Sequence, residues 1–174
     1  PVFVEESSLK IYDITCDFCG EEKLTRKINA FEMGDQIKIK NIKITPYRAD
    51  HSSYNACMFL IESEGKKILH TGDYRLHGRK KEETINNLSK IGKVDLLITE
   101  GTSLTRNVEK YDTEEQLEQK VLEYMKKYDQ VFIMHSSTNV DRTISFVKAA
   151  LMKRDADDKS PGRPSVLVPR LDGI

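Results

Sequence analysis

The chain has 174 residues, with 28 Lys+Arg balanced by 28 Asp+Glu and 32% of positions charged. That length suffices for one full domain with a buried core, or one domain plus part of another, and zero net charge gives no whole-molecule attraction to nucleic acid or anionic lipid. No apolar run approaches the roughly 20 residues of a membrane span, and no basic-then-apolar leader opens the chain, so a cytoplasmic protein is expected.

Residues 1–4, Pro-Val-Phe-Val, read as a strand entered midway. Between residues 5 and 28 the apolar positions Leu9, Ile11, Ile14, Phe18, Leu24 and Ile28 recur at helical spacing with Gly20 as an interruption, giving two helices or one broken helix. Cys16-Asp17-Phe18-Cys19 is nominally a C-x-x-C, but it lies in that helical pattern and has no second ligand pair, so it reads as ordinary helix. With Cys57 the cysteines number three, which fits a reducing compartment.

Residues 36–46 alternate Ile37, Ile39, Ile42 and Ile44 with polar residues, and the phase slips at Lys40-Asn41, predicting a hairpin turn or bulge. Residues 56–62 form a nearly continuous apolar strand, expected to be buried on both faces, and Glu64-Gly65 turns into a strand at 67–70. A short helix is expected at 84–91 and a buried strand at 94–99. Thr113 and Gln116 make a capping box for a helix whose stripe is Leu117, Val121, Met125 and Tyr128. Residues 131–134 read as a strand, and Val140, Ile144, Val147 and Leu151 as the stripe of a last helix. A solvated linker is expected at 155–164 and a final strand at 165–168, after which the chain reads as continuing, as a piece of a longer protein would. Strands alternating with helices in this second half predict a parallel α/β arrangement.

Four polar clusters fall at strand ends: Asp50-His51-Ser52, Thr71-Gly72-Asp73, Glu100-Gly101-Thr102 and His135 to Asn139. In open α/β proteins ligands collect at such ends. A hydrolytic zinc site uses imidazole nitrogens and carboxylate oxygens, and a carboxylate can bridge two ions; His51 and Asp73 offer one of each. No G-x-S-x-G elbow is present and no cysteine has a plausible base beside it. His70 is expected in the core or behind a ligand, His77 in a solvated basic loop, and His135 near the 136–139 cluster.

Asp50-His51-Ser52, the hairpin after it, and His70-Thr71-Gly72-Asp73-Tyr74-Arg75 resemble the later metal-ligand motifs of the metallo-β-lactamase-fold hydrolases, in the branch typified by ribonuclease J. Residues 94–102 are similar to that family's next strand, and Ser136-Ser137-Thr138-Asn139-Val140-Asp141-Arg142 resembles the first motif of its β-CASP insertion. The resemblance implies a partial αββα metallo-β-lactamase fold over residues 1–110, an α+β sandwich of the wider α/β class, with the start of an α/β β-CASP insertion over 111–174. It implies that His51 and Asp73 are metal ligands and catalytic, with Asp73 bridging two zinc ions; Asp50 and Ser52 are expected to support them from behind, and Glu100 either does the same or is a plain loop carboxylate. Ser137, Thr138, Asn139 and Arg142 would bind substrate at a helix N-terminus; helix capping by the same residues is the competing reading. RNA or another nucleic acid is the implied partner, with no membrane, and a homo-oligomer is admitted.

The family's principal motif, H-x-H-x-D-H, is absent from these residues. Two ligands do not complete a two-metal site, so the isolated chain is expected to be inactive and its zinc site empty or partial. Two alternatives remain open on sequence: a non-catalytic member binding nucleic acid or a partner, and a metallohydrolase of small esters or thioesters.

Overall fold

The computed structural model describes residues 2–24, 27–102, 111–136 and 138–158. The chain divides into two compact units, Pro1–Glu109 and Lys110–Ile174.

The first unit begins with a β-α-β element. Strand β1 (Val2–Glu5) leads into helix α1 (Glu6–Cys19) and returns in β2 (Ile28–Phe31), parallel to β1. Glu5 starts α1 by accepting the Ser8 N–H, and Gly20 ends it in the left-handed conformation, φ 69°, where a side chain would be strained. One helix therefore stands where two, or one broken, were expected: Gly20 terminates it and residues 28–31 pair as a strand. All of Cys16-Asp17-Phe18-Cys19 lies in α1, and all three cysteines are free thiols.

A five-stranded sheet follows in the order β3-β4-β5-β6-β7: Ile37–Ile39, Ile42–Arg48, Cys57–Ser63, Lys66–His70 and Leu96–Ile98. The Lys40-Asn41 slip is the β3–β4 turn, with Lys40 at φ 55°. β4, β5 and β6 run antiparallel in turn, and β7 returns parallel to β6 after helix α2 (Lys81–Ile91). The helix begins three residues ahead of the expected 84, and β7 is shorter than the expected 94–99 and exposed along its length instead of buried.

α2 covers one face of this sheet. Met58, Leu60 and Leu69 project from that face and, with Ala49 and Ile91, make the buried core; Tyr47, Tyr74, Leu88 and Val94 pack around it. Thr84, Asn87 and Ile91 are the buried residues of α2, at helical spacing, and Asn87 Nδ2 donates to the Arg48 carbonyl at 3.0 Å. The opposite face carries Ile44, Phe59, Ile61 and His70; with Phe3 and Phe31 they line an apolar groove of about 350 Å³. β5 is thus buried on one face and half-buried on the other, not buried on both. His70 is exposed, its Nδ1 accepting from the Gly72 N–H at 3.2 Å.

In the second unit, helices α3 (Glu114–Lys127) and α4 (Val140–Asp158) pack through Val121, Leu122 and Ala149, with Leu117, Met125 and Phe146 beside them. The capping box forms as expected: Thr113 Oγ1 accepts the Gln116 N–H at 3.2 Å and Gln116 Oε1 accepts the Thr113 N–H at 2.9 Å. Three expectations change here. Tyr128 is not part of the α3 stripe but its exposed C-cap. Helix α4 runs on to Asp158, so the linker does not begin at 155. Residues 131–134 are not a strand: they have no ladder partner among the described residues, and the expected companion at 165–168 lies outside those residues. Their alternation survives in exposure, with Phe132 at 93% and Met134 at 99%.

Candidate functional site

Strand polarity builds the site. β4 is antiparallel to β5 and β5 to β6, so β4 and β6 point the same way, and β7 points with β6. The ends of all three strands therefore open on one edge of the sheet, and the residues after them are Asp50-His51, Thr71-Gly72-Asp73 and Glu100. Residues distant in sequence meet there because the sheet register leaves no other arrangement.

Backbone hydrogen bonds tie the three turns together. The Thr71 N–H donates to the Ile98 carbonyl at 3.0 Å, and the Arg75 N–H to the Asp50 carbonyl at 2.7 Å. Glu100 Oε1 accepts the Tyr74 N–H at 2.7 Å, and Glu100 Oε2 accepts the Thr102 hydroxyl. Those two bonds, the Thr102 hydroxyl first, hold the Glu100 carboxyl below the usual carboxylate range, and nearby His51 adds to the effect against some burial. Gly72 sits at φ 58°, and a Cβ there would stand 3.3 Å from the Cys57 carbonyl, so the turn before Asp73 needs glycine for conformation and for space.

His51 is half-buried, with Nδ1 at 2.9 Å from Ser53 Oγ. The Ser53 N–H also donates to Nδ1 at 3.3 Å, so Ser53 holds the ring from its Nδ1 side. Asp73 is exposed at the turn, and Ser52 is half-buried beside His51. Asp50 is fully buried and accepts the Gly78 N–H at 2.7 Å. No group of three or more His, Cys, Asp or Glu among the described residues is placed to hold a metal ion. His51 and Asp73 have the right donor chemistry for zinc, but the residues present do not complete a site.

No family model matches the chain. Over 105 residues, 58% of this chain, it is 37% identical to the endoribonuclease ysh-1 of Neurospora crassa, and over 78 residues, 44% of the chain, it is 36% identical to the endoribonuclease ysh1 of Schizosaccharomyces pombe. Over these stretches the chain is similar to endoribonucleases of the β-CASP metallo-β-lactamase family. These β-CASP relatives are much longer proteins: each match takes in 10% of the relative's length. A solved structure of a protein of unknown function from Enterococcus faecalis shares the fold, with a TM-score of 0.71 at 22% identity, covering 97% of this chain and 48% of its own.

The β-CASP-like segment lies in the second unit. Asn139 Oδ1 accepts the Arg142 N–H at 3.0 Å and so caps α4, while Thr138 is exposed with Oγ1 at 2.8 Å from Ser136 Oγ. Ser137 lies outside the described residues. The Arg142 guanidinium is bound to Glu114, through Nε at 3.3 and 3.2 Å and Nη2 at 3.2 Å. His135 has its Nδ1 2.8 Å from the Ser136 carbonyl, and its ring packs T-shaped against that of Phe146, centroids 5.0 Å apart.

Sequence reasoning missed Gly78, Thr84 and Glu114. Gly78 and Thr84 reach Asp50 across 28 and 34 positions, and nothing in their local pattern signals it. Glu114 reads as a favourable first-turn charge on α3, yet it is among the most buried side chains.

Proposed function

We propose that this chain supplies the later half of the active site of a metal-dependent RNA phosphodiesterase of the β-CASP type, with His51 and Asp73 as metal ligands. The supporting observation is the edge where β4, β6 and β7 end together, which puts an imidazole, an exposed carboxylate and an ionised Glu100 on one side of the sheet. Likeness to two proteins named endoribonucleases supports RNA as the substrate class. Asp50, Ser52 and Glu100 hold those ligands from behind, and Ser137, Thr138, Asn139 and Arg142 serve the substrate strand. In the complete site two zinc ions supply the Lewis acidity and the activated water.

Because the ligands here are too few for such a site, these 174 residues alone bind zinc weakly and cleave nothing. No helix among the described residues is long and apolar enough to cross a membrane, and we place the protein in the cytoplasm. The test is cleavage of labelled RNA by a polypeptide that contains this chain together with an H-x-H-x-D-H motif. His51→Ala and Asp73→Ala are each expected to reduce cleavage by at least about a hundredfold, as loss of a catalytic metal ligand does. Full activity in both variants refutes the assignment. The absence of H-x-H-x-D-H from these residues favours a second reading, a non-catalytic scaffold, and tight RNA binding without cleavage in that polypeptide selects it.

A further inference from the structure

We infer that Asp50 is a positioning residue that latches the 75–84 segment to the strand end carrying His51, and thereby sets where Asp73 stands relative to that histidine. The inference rests on the reading of this sheet edge as a hydrolase site, but the latch itself is a matter of geometry.

Asp50 is fully buried. A carboxylate out of water is costly unless its oxygens are satisfied, so its partners are the informative feature. Oδ2 accepts the Gly78 N–H at 2.7 Å, and Oδ1 faces the Lys80 N–H at 3.3 Å. The Asp50 carbonyl takes the Arg75 N–H at 2.7 Å, and its own N–H donates to Thr84 Oγ1 at 2.7 Å. Thr84, also fully buried, donates its hydroxyl proton to the Lys80 carbonyl at 3.0 Å. One residue thus reaches Arg75, Gly78, Lys80 and Thr84, and every one of them follows Asp73 in the chain.

Gly78 leaves the space that makes this possible. A Cβ at this position would overlap Asp50 Oδ1 and stand 2.8 Å from Arg75 Nε and 2.9 Å from Nη2. Its φ is outside the left-handed region, so alanine there meets crowding and no backbone strain. Asp73 lies on a short span pinned at one end by the Thr71 bond to β7 and at the other by the Arg75 bond to Asp50. With both ends fixed, the span has little freedom, and the residue that fixes the far end is next to His51 in sequence.

The test uses the 174-residue chain in solution, with Asp50→Asn and Gly78→Ala, followed by amide exchange and by the ring resonances of the four histidines. In Asp50→Asn the Gly78 and Lys80 amides are expected to exchange on the order of tenfold to a hundredfold faster, as loss of a charge-assisted hydrogen bond requires. The Gly78 amide proton moves upfield and the His51 ring resonances shift, while those of His135 stay. Gly78→Ala, which leaves Asp50 in place and crowds its carboxylate, gives the same signature and decides the matter if Asp50→Asn does not fold. Unmoved His51 resonances overturn the inference. So does acceleration shared equally by Gly78 and the core amides of Leu60 and Leu69, which marks Asp50 as a residue of general stability. Neither measurement involves metal or RNA, so an absence of RNA cleavage in the longer polypeptide leaves this result standing.

Discussion

Arg142 closes on Glu114 with two nitrogens, Nε and Nη2, and Glu114 Oε2 also accepts the Ser145 hydroxyl at 2.8 Å. The pair joins the first turn of α3 to the first turn of α4, and the Glu114 side chain is only 1% exposed while that of Arg142 is 34% exposed. Removing one member of such a pair leaves a charge or a polar hole out of water. Glu114→Gln is expected to lower the stability of the α3–α4 unit by about 3 kcal/mol, below the full cost of a wholly buried pair because Arg142 reaches solvent. Urea unfolding monitored at α3 and α4 measures it. The same variant gives Arg142 a control: loss of RNA cleavage on Arg142→Ala counts as lost substrate contact only where Glu114→Gln, which keeps the guanidinium, still cleaves.

Glu100 makes the edge pH-sensitive. Its carboxyl is depressed by the Thr102 hydroxyl and then the Tyr74 N–H, so the ionised form favours the folded turn. A carboxyl with a lowered folded pKa contributes its full stabilisation above its ordinary value, 4.5 here, and loses it as pH falls through the lower folded value. The Tyr74 amide resonance is therefore expected to hold steady from neutrality to about pH 5 and to move only below pH 4.5, and Glu100→Gln abolishes the step. A step centred near neutrality contradicts this.

Burial pushes the Cys57 thiol up to about 11, with Glu5 adding to the effect. At pH 8 it is almost wholly protonated and a poor nucleophile. Cys16 is buried and Cys19 exposed. Alkylation read by mass spectrometry is expected to label Cys19 first and Cys57 and Cys16 slowly; equal rates at Cys19 and Cys57 defeat the prediction.

Met58 is 1% exposed at the centre of the core under α2. Met58→Ala is expected to cost about 2–4 kcal/mol through lost burial and the cavity left behind. Ile39, 37% exposed on β3, gives the contrast: Ile39→Ala stays within about 0.5–1 kcal/mol. Denaturant midpoints of the two variants check both.

The five-stranded sheet was largely legible in the sequence, because its strands alternate or run apolar and its turns carry Lys40-Asn41 and Glu64-Gly65. Strand ends bearing Asp50-His51, Asp73 and Glu100 were legible too, but their meeting on one edge required the register. Helix α4 shows why the rest was hidden. Its sequence stripe is Val140, Ile144, Val147 and Leu151, yet the side chains it buries are Asp141, Ser145 and Ala149. Periodicity finds a buried face by its apolar residues, and here that face carries a carboxylate, a hydroxyl bound to Glu114 and a methyl group small enough for close helix approach. At residues 131–134 the difficulty is different: alternation records the readiness of a segment to be a strand, and pairing depends on a neighbour that the segment does not encode.

The shared direction of β4, β6 and β7 also divides the sheet into an end that carries the proposed site and an end that carries only turns. At the second end lie the Lys40-Asn41 and Glu64-Gly65 turns, and no residue assigned to the site is among them. The chain has no tryptophan, so a single indole placed beyond Glu64-Gly65, or a tag inserted there, would report on folding from the far rim of the sheet. Insertions in the near-rim turns after β4, β6 and β7, at Asp50-His51, Thr71 to Asp73 or Glu100, would have no such latitude. Divergence within this protein's lineage should accumulate accordingly, with length variation at one rim and fixed spacing at the other.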